Sequence, residues 1–465
     1  MSEKSLPRRI HIVGIGGIGL SAIARVLLAR GVKVSGSDLS ASALTDELQN
    51  LGAQIFIGQR AENIGDVDLV LVTSAARADN PEIITARARG IRIDKRYDFF
   101  PQLTAGKKTI AVAGTHGKTT TTALIALMLV NAGFDPTAII GGIVPELPGN
   151  ARAGQGEYFV IEADEYERAF LGLNPQVAVV TSIEMDHPDI YRDVDDVTAA
   201  FREFIRRVPR DGLLVVCGDD ERAARAAAHT DAPLLRYGLS EANDLRARDI
   251  RANEIGGNDF AVWRGGARLG DFALRVPGKH NVLNALAAIG VAEQVGIERS
   301  ITRETLRAFR GAARRFEVKA EIGGITIVDD YAHLPAEIRA TLSAARERYP
   351  GRKIWAVFQP HTFSRTRALL DDFANAFADA DHVIIADIFA ARERDDGAVH
   401  SRMLVERMNH ADARYLARAE EIAEDLMARL EPGDVLITLG AGDVNRIGER
   451  VKARWRADRG RQSNA

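Results

Sequence analysis

The run Gly114-Thr115-His116-Gly117-Lys118-Thr119-Thr120 combines the residue types that hold a nucleoside triphosphate. Glycines admit backbone amides to phosphate oxygens, the Lys118 ammonium can neutralise β- and γ-phosphates, and the Thr119 hydroxyl can join a Mg²⁺ shell. Val112 stands where the strict phosphate-loop pattern has its first glycine, but the groups that do the chemistry are kept. A second glycine-rich turn, Gly14-Ile15-Gly16-Gly17-Ile18-Gly19, fits a diphosphate resting on a helix N-terminus. Asp38 follows where a dinucleotide enzyme holds a ribose hydroxyl. Taken alone, that turn serves a nicotinamide dinucleotide and a nucleotide sugar equally well.

Two acidic runs, Glu162-Ala163-Asp164-Glu165 and Glu184-Met185-Asp186-His187, each follow a strand-like segment. At the carboxyl edge of a parallel sheet both would face the phosphate loop, and hard oxygen ligands there suit Mg²⁺. Thr119, Glu162 and His187 are the candidate metal ligands. One dinucleotide-type turn plus a separate phosphate loop implies two phosphorylated ligands in adjacent domains. A dehydrogenase would not need the second.

These loops need strands and helices to place them. Short β-branched runs alternate with longer helical patterns, the signature of an α/β fold with largely parallel sheets. Strands are predicted at 10–13, 33–35, 69–73, 109–113, 159–161, 177–181, 213–216, 325–328, 354–358, 383–385 and 435–439, with helices at 18–30 and 121–130. Glycine pairs near 256 and 265 predict antiparallel hairpins at one edge of the middle sheet. Three domains are expected: 1–105, Rossmann-like; 106–313, a central mononucleotide-binding sheet of the phosphate-loop type; and 314–465, Rossmann-like again. The polar, basic tail from Arg454 predicts mobility at the chain end.

Composition narrows the partners. Hydrophobic residues make up 46% and charged residues 27% of 465, an ordinary globular balance. The net charge of -3 supplies no field for nucleic acid or an anionic membrane, so the expected partners are small molecules, with the chain a monomer or homodimer. The lone cysteine, Cys217, excludes an intrachain disulfide. The start has no signal-peptide pattern and no run is long enough to span a bilayer, so a cytoplasmic location is expected.

Together these runs resemble the Mur ligase family of peptidoglycan synthesis over nearly the whole chain. The resemblance extends through Gly278-Lys279-His280-Asn281-Val282-Leu283-Asn284-Ala285, Arg314-Arg315-Phe316 and Asp329-Asp330-Tyr331-Ala332-His333. It implies an ATP- and Mg²⁺-dependent ligase in three domains. The first would bind a UDP-sugar through Gly14, Gly16, Gly17, Gly19, Asp38 and Ser74. The second would bind ATP through 114–120 with Asn281 and Asn284. The third would receive the amino acid and close over the site. Lys118, His187, Arg315 and Asp330 are the implied catalytic residues. Residue chemistry alone leaves Asn281 equally readable as a helix cap and Arg315 as a surface charge.

Within the family, Phe358-Gln359-Pro360-His361-Thr362-Phe363-Ser364-Arg365-Thr366-Arg367 is most similar to members that join L-alanine to UDP-N-acetylmuramate through an acyl phosphate. His361 and Arg365 would orient the incoming carboxylate. A sibling that ligates a ready-made peptide, a nicotinamide-dependent oxidoreductase and a simple ATP hydrolase are the alternatives. Two departures stand out. Leu334 replaces the second histidine usual after Asp330, and no lysine lies between Ser182 and Arg210, where some siblings carry a carbamylated one.

Overall fold

The computed structural model describes residues 6–462, so residues 1–5 of the unremarkable N-terminal start and residues 463–465 of the tail lie outside the described residues. Three sheets follow one another along the chain. The first contains β1 (Arg9–Val13), β2 (Lys33–Asp38), β3 (Gln54–Ile57), β4 (Leu69–Val72) and β5 (Arg92–Asp94), all parallel in the order 3-2-1-4-5. Helix α1 (Ile18–Ala29) leaves the glycine turn after β1, and α2 (Arg96–Leu103) leads out of the domain.

The second sheet has ten strands: β6 (Lys108–Ala113), β7 (Thr137–Val144), β8 (Gly149–Arg152), β9 (Tyr158–Glu162), β10 (Val177–Val180), β11 (Leu213–Cys217), β12 (Leu234–Gly238), β13 (Leu245–Ala252), β14 (Asn258–Arg264) and β15 (Ala267–Leu274). Their spatial order is 15-14-13-12-11-10-6-9-7-8. β6 lies between β9 and β10, so the chain reverses direction across the sheet there and a crevice opens at the carboxyl ends of these three strands. Both outer edges are mixed rather than one as expected: β13, β14 and β15 pair antiparallel, and so do β7 and β8.

Two helices flank this crevice, α3 (Lys118–Asn131) and α4 (Lys279–Val295). The four threonines that open α3 are weak helix formers, but all are buried. Thr122 Oγ1 donates to the Lys118 carbonyl one turn back at 2.8 Å, and Thr121 Oγ1 donates to Asn284 Oδ1 on α4 at 3.4 Å, so burial and the contact with α4 offset the weak propensity.

The third sheet contains β16 (Glu317–Ile322), β17 (Ile325–Asp330), β18 (Ile354–Phe358), β19 (His382–Ile385), β20 (Ala413–Tyr415) and β21 (Val435–Leu439), in the order 16-17-21-18-19-20. Only β16 runs antiparallel to its neighbour. Helices α5 (Pro335–Arg348) and α6 (Phe363–Ala368) follow β17 and β18. The chain continues into the polar tail as helix α7 (Asn445–Gln462), and the last residues of the end expected to be mobile, 463–465, lie outside the described residues.

Burial separates the domain contacts into two kinds. One apolar cluster runs from Ile10, Ile12 and Leu27 through Phe99, Phe100 and Leu103 to Phe159, Phe170 and Phe204, so the first two sheets share a core. Among the described residues, no apolar cluster mixes side chains from before residue 313 with side chains after it. The third sheet instead meets the second through polar pairs such as Arg365 with Asp186 and Asn258 with Glu347.

Phe170 is fully buried in the shared core and stacks on Phe204 with ring centroids 5.0 Å apart. Phe170→Ala should cost about 3–5 kcal/mol. Scanning calorimetry is expected to show the first two domains melting earlier and still together, with the third domain's transition unmoved. Separate shifts of the first and second domains would contradict a common core.

Candidate active site

The phosphate loop rises from the carboxyl end of β6, and two of its glycines are dictated by contact. Gly114 (φ 139°) lies against Thr181, where a side chain would meet Oγ1 at 1.8 Å. Gly117 (φ 77°) lies against Asn284, where it would meet Oδ1 at 2.2 Å. Thr115 ties the loop to the strand next door, accepting from the Glu184 amide at 2.9 Å, and Thr120 is buried in the first turn of α3. Asn281 and Asn284 lie one above the other on α4, linked at 3.2 Å, and Asn281 donates to the Pro277 carbonyl at 2.7 Å. Asn281 is therefore not the cap of α4, which is Gly278.

A cavity of about 260 Å³ opens between these elements. His116, Gly117, Thr119, Thr120, Asn281 and Asn284 line one side; Cys217, Tyr237, Val276, Leu283 and Phe309 make an apolar wall; Arg315, Asp330 and Glu337 from the third domain's side complete it. That combination suits a nucleotide, with a flat apolar base at one end and phosphates at the other.

Lys118 is largely buried, and its Nζ donates to the Gly114 carbonyl, to the Thr115 carbonyl at 3.1 Å and to Glu165 Oε1 at 3.0 Å. Burial opposes its charge, but the carboxylates of Glu165, Glu162 and Asp164 outweigh it and raise the pKa above the ordinary lysine value. The ammonium is thus fixed as a cation where phosphate oxygens would arrive.

The three predicted metal ligands fall into two groups. Thr119 Oγ1 donates to Glu162 Oε1 at 3.2 Å, and the other Glu162 oxygen accepts from the Gly141 amide at 2.7 Å. His187 groups instead with Glu165 and Asp186, whose ligand atoms all lie within 4.8 Å of one another. Glu165 Oε2 and His187 Nδ1 are buried without a hydrogen-bond partner among the described residues, as expected of atoms aimed at a cation. Both groups offer the hard oxygen and imidazole donors that fit a divalent ion.

Arg315 and Asp330 stand in the cleft between the second and third domains. Burial opposes the Arg315 charge, but Glu337 and Asp330 raise its pKa. Burial pushes the Asp330 carboxyl up to about 6, although it accepts from the Phe316 and Ala332 amides at 2.7 Å each. His361 stacks on Phe389 with centroids 5.7 Å apart, and burial holds its imidazole down to about 3. Arg365 does not present an open fork: Nε and Nη2 both donate to Asp186 Oδ1, at 2.9 and 2.6 Å, and Nη1 meets His361 Nδ1 at 2.9 Å. In this arrangement it ties the domains together. Leu334 is buried at the entry to α5.

At the glycine turn of the first domain, Gly14 and Ile15 amides donate to the Ser37 carbonyl and Gly17 donates to Gly14. Asp38 accepts from the Gly16 amide at 2.9 Å, so its carboxylate supports the turn. The amides that face outward are those of the first turn of α1, which includes Gly19. Ser74 follows β4, beside Thr73, whose side chain presses on Gly14.

Glu337 was not found by sequence reasoning. One of its oxygens accepts from the His333 amide at 2.9 Å and caps α5, while the other meets His116 Nδ1 at 3.1 Å. His116 Nε2 meets Glu184 at 3.1 Å. The only sequence signal was a glutamate in the first turn of a helix, which commonly means a cap and nothing more. Glu165 and Asp186 stand in the same acidic runs as the expected ligands Glu162 and His187, and the structure adds them to the metal group.

Burial penalises the His116 charge, yet Glu184 and Glu337 raise its pKa to about 10. The folded ring therefore binds its proton more tightly than the unfolded one, whose pKa is about 6.5. Its contribution to stability should be complete below about pH 6.5 and lost as pH rises through about 10. Urea unfolding of wild type and His116→Gln is expected to give stabilities whose gap narrows over that window. A gap independent of pH would mean that the ring is neutral.

Comparison with known proteins covers nearly the whole chain. Residues 9–108 match the Mur ligase family catalytic domain, 112–292 the Mur ligase middle domain and 314–442 the Mur ligase glutamate ligase domain. A UDP-N-acetylmuramate--L-alanine ligase of Roseiflexus sp. (strain RS-1) is 48% identical over 95% of this chain and 98% of its own. One from Geobacter sp. (strain M21) is 45% identical over 97% and 98%. Among solved structures, the UDP-N-acetylmuramate-alanine ligase of Thermotoga maritima superposes with a TM-score of 0.83 at 33% identity, covering 97% of this chain and 99% of that one. A murein peptide ligase from Psychrobacter arcticus gives 0.72 at 26% identity, covering 96% and 98%. With all three family domains matched in order and relatives this similar over nearly the whole chain, the chain belongs to the Mur ligase family.

Proposed function

We propose that this enzyme joins the amino group of L-alanine to the lactyl carboxylate of UDP-N-acetylmuramate, coupled to cleavage of ATP into ADP and phosphate, in peptidoglycan precursor synthesis. The observation that carries the chemistry is Lys118, fixed as a cation at the switch point of the central sheet, between a glycine turn on one neighbouring domain and the Arg315–Asp330 cleft of the other. Relatives named for this reaction, 43–48% identical over nearly their full length, support the choice of substrates. We assign 1–105 to the UDP-sugar, 106–313 to ATP and 314–465 to the amino acid.

A carboxylate is a poor acyl donor because its charge repels nucleophiles and oxide is a bad leaving group. Attack of a carboxylate oxygen on the γ-phosphorus of ATP forms an acyl phosphate and releases ADP; the alanine nitrogen then adds to the acyl carbon, phosphate departs and the amine loses its proton. Lys118 would stabilise charge on the phosphoryl oxygens in flight. The first turn of α1 would anchor the diphosphate so that the far end of the sugar reaches Lys118. Arg315 is placed to meet charge on the reacting groups at the cleft. Thr119 with Glu162, and Glu165 with Asp186 and His187, would hold Mg²⁺, which supplies further positive charge to the phosphates. His361 and Arg365 would receive the alanine carboxylate once Arg365 shares its fork with Asp186.

No helix of the described residues is long and apolar enough to cross a membrane. We place the reaction in the cytoplasm. The peptide-adding reading draws support from the murein peptide ligase at 26% identity.

Phosphate release with ATP, Mg²⁺ and UDP-N-acetylmuramate should rise with L-alanine and stay at background with a tripeptide. The reverse order would favour the peptide-adding reading. Lys118→Ala is expected to lower kcat by at least about 10³-fold, while calorimetric binding of UDP-N-acetylmuramate persists. Loss of both together would contradict the domain assignment.

A further inference from the structure

The loop after β19 makes contacts that none of the roles above accounts for. Its root belongs to the third domain: the Phe389 amide donates to the Pro360 carbonyl at 2.8 Å and the Thr362 amide donates to the Phe389 carbonyl at 3.0 Å. Its tip holds Ala391 in a left-handed conformation (φ 50°), which a non-glycine residue keeps only where its surroundings impose it. The two residues after that strained position reach to different domains.

Glu393 turns back onto its own domain. Its Oε2 accepts from the Ser364 amide at 2.9 Å and its Oε1 from the Ser364 hydroxyl at 2.5 Å, so it satisfies amide and hydroxyl in the first turn of α6. Arg365, the next residue of that turn, is the one whose guanidinium meets Asp186. Arg392 reaches across to the central domain. Its Nη2 donates to Asp189 at 2.6 Å, and its guanidinium lies 4.6 Å from the centroid of the Tyr166 ring. Tyr166 donates to the same Asp189 oxygen at 3.1 Å and packs edge-on against His187, with centroids 4.9 Å apart.

These contacts close a circuit. From Asp186 it passes through Arg365 and Ser364 to Glu393, then through Arg392 to Tyr166 and back to His187, the neighbour of Asp186. We propose that Arg392 and Glu393 are positioning residues for the ligation step, holding Arg365 and His187 in register so that docking of the third domain and assembly of the amino-acid site are one event. Resting on the function proposed above, this reading deepens it. Neither residue lines the nucleotide cavity.

The experiment compares steady-state constants for L-alanine, ATP and UDP-N-acetylmuramate in the full-length enzyme. Glu393→Ala is expected to raise KM for L-alanine about tenfold, the scale for losing charge-assisted bonds at a helix start. Arg392→Ala is expected to raise it about threefold to tenfold, being part-exposed, and Arg392→Lys to recover part of that loss. KM for UDP-N-acetylmuramate should stay within twofold in all three, and any rise in KM for ATP, through His187 and the metal it would hold, should stay below the rise for L-alanine. Arg392→Ala combined with Asp189→Ala should be no worse than either alone, because the two share one link of the circuit.

An unchanged KM for L-alanine in both alanine variants would overturn the inference. So would a parallel rise in all three constants with a lowered Tm, which marks a role in stability alone. Wild-type turnover with L-alanine is the separate control: its failure would remove the proposed function, whereas a wild type that works beside indifferent variants removes only this circuit.

Discussion

A buried ammonium must be balanced, and the centre of this protein is arranged around that requirement at Lys118. Glu165, Glu162 and Asp164 all lower the energy of its charge, and each reaches it only because β9 ends beside β6. The same placement puts Thr115 against the loop after β10 and Asn284 against Gly117. Exchange of β9 and β10 for strands farther out would leave the cation without its acids. Strand order is therefore as much a part of the chemistry as the residues of the loop.

Charge also governs how the third domain meets the second. Where the first two domains share aromatic and aliphatic side chains, the third offers Glu337 to His116, Arg365 to Asp186 and Arg392 to Asp189. Ionic contacts of this kind are specific in geometry but lose little apolar burial when broken, which suits the closure expected of a domain that receives the amino acid. Glu337 joins the two halves most directly, since one carboxylate both caps α5 and holds the His116 ring.

What could be read in the chain beforehand followed from locality. The phosphate loop, the glycine turn and the strands rich in apolar and β-branched residues, such as Val177–Val180 and Val435–Leu439, carry their signal within a few residues. Strands with mixed composition, such as Gln54–Ile57 and Ala413–Tyr415, gave none, because their pairing comes from the neighbouring strand. The division of the acids was equally hidden: Glu162 turns to Thr119 while Glu165, three residues on, turns to Lys118 and His187. Glu162 ends β9 and Glu165 lies on the loop beyond it, and only the backbone between them decides which way each points. His116 and Glu337 lie 221 residues apart, a pairing that no local pattern announces.

The apolar seam between the first two domains has a consequence for length selection. With Phe99, Phe100 and Leu103 embedded beside Phe159 and Phe170, the span from the first turn of α1 to Lys118 cannot stretch or shorten without opening hydrophobic surface to water. With the diphosphate anchored on α1 as proposed, that span would work as a calliper. An acceptor too short to bridge it leaves its carboxylate out of line, and one too long must buckle, whatever its headgroup offers. Tolerance toward the nucleophile can drift through changes in the third domain, but tolerance toward acceptor length would require repacking a core.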